Sequence, residues 1–366
     1  MVRIFGFSVA VTIAVLAASL WIGGPETLAL VAILAVLEIS LSFDNAVVNA
    51  TVLERMTRWW QNLFLTVGVL LAVFGMRLVF PLLIVAVTAS LNPIDALNLA
   101  LNQPEVYAAE LSEAHPAIAA FGGIFLGMIF LDFMLEEHEH TWLAPIERPL
   151  SKLGGIESLS VVLALSALLL TTRFIPASDV STVMAAGVTG LIAYLLVNGL
   201  AAFFEDRAAP QEQRLAGIAG AARTRVAPVV GKGAFFLFVY LQVLDASFSF
   251  DGVIGAFAIT SNIFVVAAGL GIGAFFIRSM TVYLVRRGTL AEYVYLEHGA
   301  HYAIGALAVL LLATIAHDVP ELVTGLVGVG FIAAAFVSST IQRRRWPPRE
   351  PTPQRPAVTA EPSQQA

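Results

Sequence analysis

The sequence predicts an all-α membrane protein with about ten transmembrane helices in two inverted repeats. Composition is the first observation behind that expectation: 58% of the 366 residues are apolar and 13% charged, with a mean hydropathy of +0.84. A water-soluble globule carries about 25% charged residues. The second observation is a series of apolar runs long enough to cross about 30 Å of hydrocarbon as helices. A β-barrel would need short alternating segments, which this sequence does not offer. The third is a polar motif that occurs twice, once in each half of the chain.

Taken in order, the spans fall at 4–22, 27–51, 62–89, 116–135, 156–174, 180–204, 234–258, 262–285, 301–316 and 320–340. Basic residues test this list, because Lys and Arg stay on the cytoplasmic side. Arg3 lies before the first span. Arg55 and Arg58, Arg148 and Lys152, Arg207 to Lys232, Arg286 and Arg287, and Arg343 to Arg345 occupy the gaps on that same side, whereas the opposite gaps hold only Arg173. Both termini are therefore expected in the cytoplasm. Residues 1–26 read as a first transmembrane helix or as a signal-like segment, having a basic start, an apolar run and small residues near Ala17 to Ser19. Residues 27–204 form the first transmembrane half, 205–233 a basic cytoplasmic loop and 234–340 the second half. The Pro- and Gln-rich stretch 341–366 reads as a disordered cytoplasmic tail.

The repeat is visible when LEISLSFD, residues 37–44, is set over LDASFSFD, residues 244–251. Leu, both Ser, Phe and Asp coincide, and Glu38 faces Asp245. The next helices also match, since GVLLAVFGMR ends on Arg77 and GLGIGAFFIR ends on Arg278. The span count makes the two motif helices run in opposite directions, so the repeats are inverted. That is the common design of secondary transporters, whose site lies near the midplane at the repeat interface.

A carboxylate near the bilayer centre costs about 2.5–3.5 kcal/mol on insertion scales, so these acids must face the protein interior. Six residues separate Glu38 from Asp44, which places them about 120° apart on an unbroken helix. Either neighbours wrap that helix on two sides, or it opens near Ser42 to Asn45. The candidate site is a cation site in which Glu38, Asp44, Asp245 and Asp251 supply hard oxygen ligands, helped by Asn45, Ser42 and Ser249. Arg77 and Arg278 are expected to be structural or gating counter-charges. The competing reading pairs Asp44 with one Arg and Asp251 with the other as structural ion pairs. Four carboxylates against two Arg leave two negative charges, which suits one divalent cation or two protons. The chain has no Cys, and oxygen ligands favour Mn, Mg or Ca over Cu or Zn.

EISLSFDNAVVNATVLERM and LDASFSFDGVIGAF resemble the TerC family of bacterial integral membrane proteins, associated with tellurium resistance and related to manganese exporters. The likeness runs from about residue 27 to 340. It implies export of a divalent cation, manganese above all, with Glu38, Asp44 and Asn45 of the first repeat and Asp245 and Asp251 of the second at the site. The sequence departs from the pattern at Gly252, which stands where the first repeat has Asn45, and in its long acidic outer loop.

These features predict a transporter and not an enzyme, with no permanently bound cofactor. Its partners are expected to be the transported cation and the lipid bilayer, with soluble proteins or further copies of itself as additional candidates and no role for nucleic acid. Two other classes compete. One is a scaffold subunit in a tellurium or metal-stress complex, which would recruit soluble proteins through 205–233 and the tail. The other is a membrane-embedded metal-dependent hydrolase. MLEEHEHTW (134–142) and YLEHGAHYAIG (295–305) hold the notable His clusters, and His298 and His301 share a helical face. Their order and spacing fit neither HExxH nor its reverse, so an interfacial role or a cation-gathering point is expected instead. Asp132 reads as a capping, snorkelling or pathway residue. Asp318 and Glu321 read as caps around Pro320. Glu105, Glu110 and Glu113 read as a solvated acidic face or an electrostatic concentrator of cations.

Overall fold

Hydrocarbon offers no water to bond backbone N–H and C=O groups, so each apolar run must close its own hydrogen bonds as a helix. The computed structural model follows that constraint. It describes residues 2–68, 70–138, 140–156, 158–219, 231–260, 262–287, 293–317 and 319–345, with some side chains within these ranges, among them Asp44, Ser249 and Asp251, outside the description. The helices are α1 (Val2–Leu41), α2 (Phe43–Glu54), α3 (Arg58–Leu63), α4 (Phe80–Thr88), α5 (Pro93–Asn102), α6 (Pro104–Glu113), α7 (His115–Leu135), α8 (Ala144–Leu153) and α9 (Leu159–Thr171). They continue with α10 (Val180–Ala219), α11 (Gly231–Ile259), α12 (Ile263–Arg287), α13 (Leu296–Thr314) and α14 (Glu321–Arg345). Two π-helical segments, Phe64–Gly68 and Leu71–Val79, lie between α3 and α4. No strand occurs among the described residues.

Among the described residues, helix runs through part or all of each of the ten expected spans. Six described stretches are long and apolar enough to cross a membrane: Phe5–Ile39, His115–Leu135, Val180–Leu200, Ile263–Arg286, Leu296–Thr314 and Leu326–Arg343. A bent pair, Arg58–Gly68 with Leu71–Val87, makes a seventh if it is one span. The stretch Phe5–Ile39 holds the first expected span and the first part of the second, joined at Gly24 with φ 73° and ψ −168°, a conformation that glycine alone adopts readily. Contacts with α12 reveal what happens there. Phe5 faces Tyr283 and the Ser8 Oγ donates to the Phe275 carbonyl at 3.0 Å, so numbering falls along α12 as it rises along α1. Beyond the joint the order reverses: Leu34 meets Gly269 and Glu38 meets Gly273. The chain therefore turns back at Gly24, and α1 contributes two antiparallel passes.

Three expected segments differ in detail. The second span is interrupted at Ser42, with φ −101° and ψ 16°, yet Ser42 N still donates to the Glu38 carbonyl at 3.0 Å. The stretch read as the loop 205–233 begins as helix, because α10 continues to Ala219. The acidic outer segment is two helices, the first capped by Asn92, whose Oδ1 accepts from Ile94 N and Asp95 N at 3.0 Å. Pro93 at the first helical position removes a donor that needs no partner there.

The helices approach closely where glycine permits. A Cβ on Gly305 would fall inside the ring of Phe130 at 2.5 Å, and one on Gly190 would strike the Phe121 carbonyl. Small residues at such crossings let backbones pack when lipid supplies no hydrophobic drive. Gly305→Ala and Gly190→Ala should each destabilise the protein by about 1–3 kcal/mol. Gly199→Ala, with nothing within 4 Å of the added methyl, should not. Thermal unfolding in detergent micelles checks the difference.

Candidate functional site

The site begins with the crossing of the two motif helices. Asn45 Nδ2 donates to Asp245 Oδ1 at 2.8 Å, and a Cβ on Gly252 would lie 2.9 Å from Glu38 Oε2. Moving from residue 45 back to 38 on one helix advances from 245 to 252 on the other, so the helices cross antiparallel. The contacting positions are also the ones that the sequence repeat equates: Glu38 with Asp245, and Asn45 with Gly252. The inverted repeat is thus visible as geometry.

Each acid meets the Arg of its own repeat. Arg77 Nη2 donates to Glu38 Oε1, Arg77 Nη1 donates to the Ala72 carbonyl at 2.7 Å, and Ser42 Oγ donates to the same Oε1 at 2.9 Å. Arg278 Nη2 donates to Asp245 Oδ2 at 3.0 Å and to the Gly68 carbonyl at 3.4 Å, and the guanidinium carbon stands 3.9 Å above the Phe64 ring. Exposure is 2% for Glu38, 5% for Asp245, 5% for Arg77 and 3% for Arg278. Buried charge at this depth must be paired and hydrogen-bonded. Amides extend the Asp245 pair along α2, since Asn45 bonds Asp245 and Asn49 Nδ2 donates to Asn45 Oδ1 at 2.8 Å.

Among the expected site residues, the structure brings together Glu38, Ser42, Asn45, Asp245, Arg77 and Arg278. The helices run through positions 44, 249 and 251, but the side chains of Asp44, Ser249 and Asp251 lie outside the described residues. Among the described residues no three of His, Asp and Glu converge in metal-binding geometry. Sequence reasoning missed Gln242, which is buried three residues before Asp245 with neither amide atom bonded to a described partner. A polar residue on the same face as Asp245 was the available signal; its repeat counterpart is Ala35.

The two His segments also come together, on the side that bears Arg55 and Lys152, because α7 and α13 run antiparallel. His301 stacks on Phe133 at 3.8 Å and its Nδ1 donates to the Glu297 carbonyl. His298 places Nε2 3.6 Å from Glu147 Oε2, and its ring lies 5.4 Å from that of His138. Glu147 accepts from Trp142 N, Leu143 N and Tyr302 Oη, so it fastens the segment between α7 and α8 onto α13. Asp132 accepts from Tyr194 Oη at 2.6 Å, a helix-to-helix bond in place of a capping or snorkelling role. Glu105 and Glu113 are exposed and Glu110 is half-buried on α6, whose other face buries Tyr107 and Leu111. Asp318 and the Glu321 side chain lie outside the described residues.

With no strand among its described residues and six helices long and apolar enough to cross a membrane, the chain is an all-α polytopic membrane protein. Comparison with known proteins then places it more narrowly: the chain belongs to the family described as DUF475, a protein of unknown function, whose match covers residues 43–346. No curated protein and no solved structure matches it.

Two outcomes follow from the buried charges. Arg278→Ala would strand Asp245 and should cost about 3–5 kcal/mol, whereas Asp245→Asn with Arg278→Gln should cost clearly less; melting in micelles compares them. Glu54, at the end of α2, has a pKa raised to about 7, first by burial and then by Glu297. A raised carboxyl pKa penalises the charged form in the folded state. The penalty is absent below the ordinary value of 4.5, grows between 4.5 and 7, and is full above 7. Glu54→Gln should therefore match the parent protein's stability at acid pH and exceed it at pH 8.

Proposed function

We propose that this protein carries a divalent metal cation, manganese above all, across a bacterial cytoplasmic membrane by alternating access. The observation that carries the reading is the antiparallel crossing of the motif helices, which sets one acid from each repeat beside the other repeat's helix. Inverted repeats that meet at a polar, buried centre support rocking of one half against the other around a shared site. Arg77 and Arg278 balance Glu38 and Asp245 as formal charges. Asp44 and Asp251 then supply the surplus negative charge, and hard oxygen ligands suit manganese, magnesium or calcium. The likeness of both motifs to the TerC family supports the same cargo and outward direction.

Release is coupled in this proposal to protonation of one or more of the acids. The test is uptake of radioactive manganese by everted membrane vesicles, with and without a pH gradient. Asp44→Asn and Asp251→Asn should each lower uptake by about tenfold or more, equivalent to about 1.4 kcal/mol, while the protein still inserts. Unchanged uptake and unchanged cellular manganese tolerance in both variants would discard the transporter reading and leave the acids as structural charges of a scaffold.

A further inference from the structure

At the end of the bundle opposite Arg55 and Lys152, the last turns of α9 and α13 run side by side and leave a groove of about 380 Å³ between them. Ala167, Leu170 and Phe174 form one wall and Val309, Ala313 and Ala316 the other, each a stripe spaced by three or four residues along its helix. Apolar stripes of this kind close on a neighbouring element when they belong to a packed core. Here the alanines are too short to meet across the gap, and Leu170, Phe174 and Val309 are 61%, 63% and 67% exposed. Thr171 also lines the groove, but its hydroxyl donates to the Ala167 carbonyl at 3.0 Å, which leaves the wall apolar.

The length of α9 brings the bilayer to this groove. Its helical bonding continues for one turn past Thr171, with Phe174 N donating to the Thr171 carbonyl at 3.1 Å. At about 1.5 Å per residue, positions 159–174 cover about 24 Å, against about 30 Å of hydrocarbon. Lipid around a short helix is drawn inward to meet its end, so acyl chains and headgroups are lowered toward the groove. The mouth of the groove carries charge. Arg173 is exposed and stands in the turn between Thr171 and Phe174, and His317 is exposed at the end of the opposite wall. On the ten-span reading Arg173 is the only Lys or Arg on its side of the membrane. A guanidinium on a long apolar stem can lie along such a surface and present a fork of donors to a phosphate.

We propose that the groove between α9 and α13 is a phospholipid site, in which one acyl chain lies between the two stripes and an anionic headgroup phosphate meets Arg173. The site is separate from the buried acids and independent of the transport reading. A second copy of the chain suits the groove less well, because a twofold interface through this face would bring Arg173 beside its own equivalent.

The full-length protein would be placed in phosphatidylcholine nanodiscs doped with a phosphatidylglycerol whose acyl tail carries a diazirine, then irradiated, and the adducts located by peptide mass spectrometry. Adducts should concentrate on 167–174 and 309–316, about tenfold or more above those at Leu196, an exposed apolar residue of α10. Arg173→Gln should lower groove labelling by about tenfold, and the same tail on a phosphatidylcholine headgroup should label the parent no better than that variant. Val309→Trp and Ala313→Leu, which fill the groove from its mouth and from its wall, should each displace the probe. Labelling spread evenly over the exposed apolar faces, equal labelling by the two headgroups, or an Arg173→Gln protein that melts and labels like the parent would overturn the proposal. So would a photoreactive side chain at position 309 that joins two protein chains in place of a lipid, which would assign the face to a second copy.

Discussion

The fold depends on how charge is accommodated where water is scarce. Two acids and two guanidinium groups lie at the crossing of α1, α2, α11 and α12 with the π segments, and each ion pair links a motif helix to the Arg helix of the same repeat. An unpaired charge there would cost more than packing nearby can offset. Consequently the motif helix and the Arg helix of each half cannot drift apart independently. Between halves the polar links at this crossing are the neutral amide bond from Asn45 to Asp245 and the Arg278 bond to the Gly68 carbonyl, beside the close seat of Glu38 on Gly252 and Gly273 and the apolar clusters that both halves share.

Much of this was legible in the sequence. Mean hydropathy and apolar run length give the helical membrane class, and the coincidence of LEISLSFD with LDASFSFD gives the inverted pair. The direction of crossing follows from counting spans. What sequence did not show is pairing: which acid meets which Arg depends on side-chain reach across four helices, and no periodicity encodes that. The competing expectation assigned the Arg residues to Asp44 and Asp251, whereas the described partners are Glu38 and Asp245. Gln242 escaped notice because its counterpart Ala35 is apolar, so comparing repeats hid it. The His segments at 134–142 and 295–305 gave no sign that they would meet, since contact between α7 and α13 is a tertiary fact.

Several differences between the halves fall at contacts beside the buried acids. Glu against Asp, Gly252 against Asn45, Gly273 against Ala72 and Gln242 against Ala35 all lie within a turn or two of the buried acids. Away from them the outer and inner ends of the bundle are closed by apolar clusters. Val31, Leu34, Ala35, Val253 and Ala256 pack toward the acidic side, and Leu53, Met56, Phe64, Phe238 and Leu241 toward the basic side. The polar layer is held between two apolar ones, whose low polarity strengthens the electrostatic interactions inside it.

One of the Arg helices is wound unlike the other. From Leu71 to Val79 the chain is π-helical, with the wider turn closed by a bond from Phe80 N back to Gly75 O, five residues earlier, whereas α12 around Arg278 is regular α-helix. Such winding is rare and often marks functional positions. Arg77 itself donates to Ala72, also five residues back, so the guanidinium that neutralises Glu38 is at the same time a rivet in its own backbone. The pitch of that helix is thereby tied to a carboxylate on a neighbouring one, and a local electrostatic event at Glu38 has a ready mechanical lever in the coiling of residues 71–79.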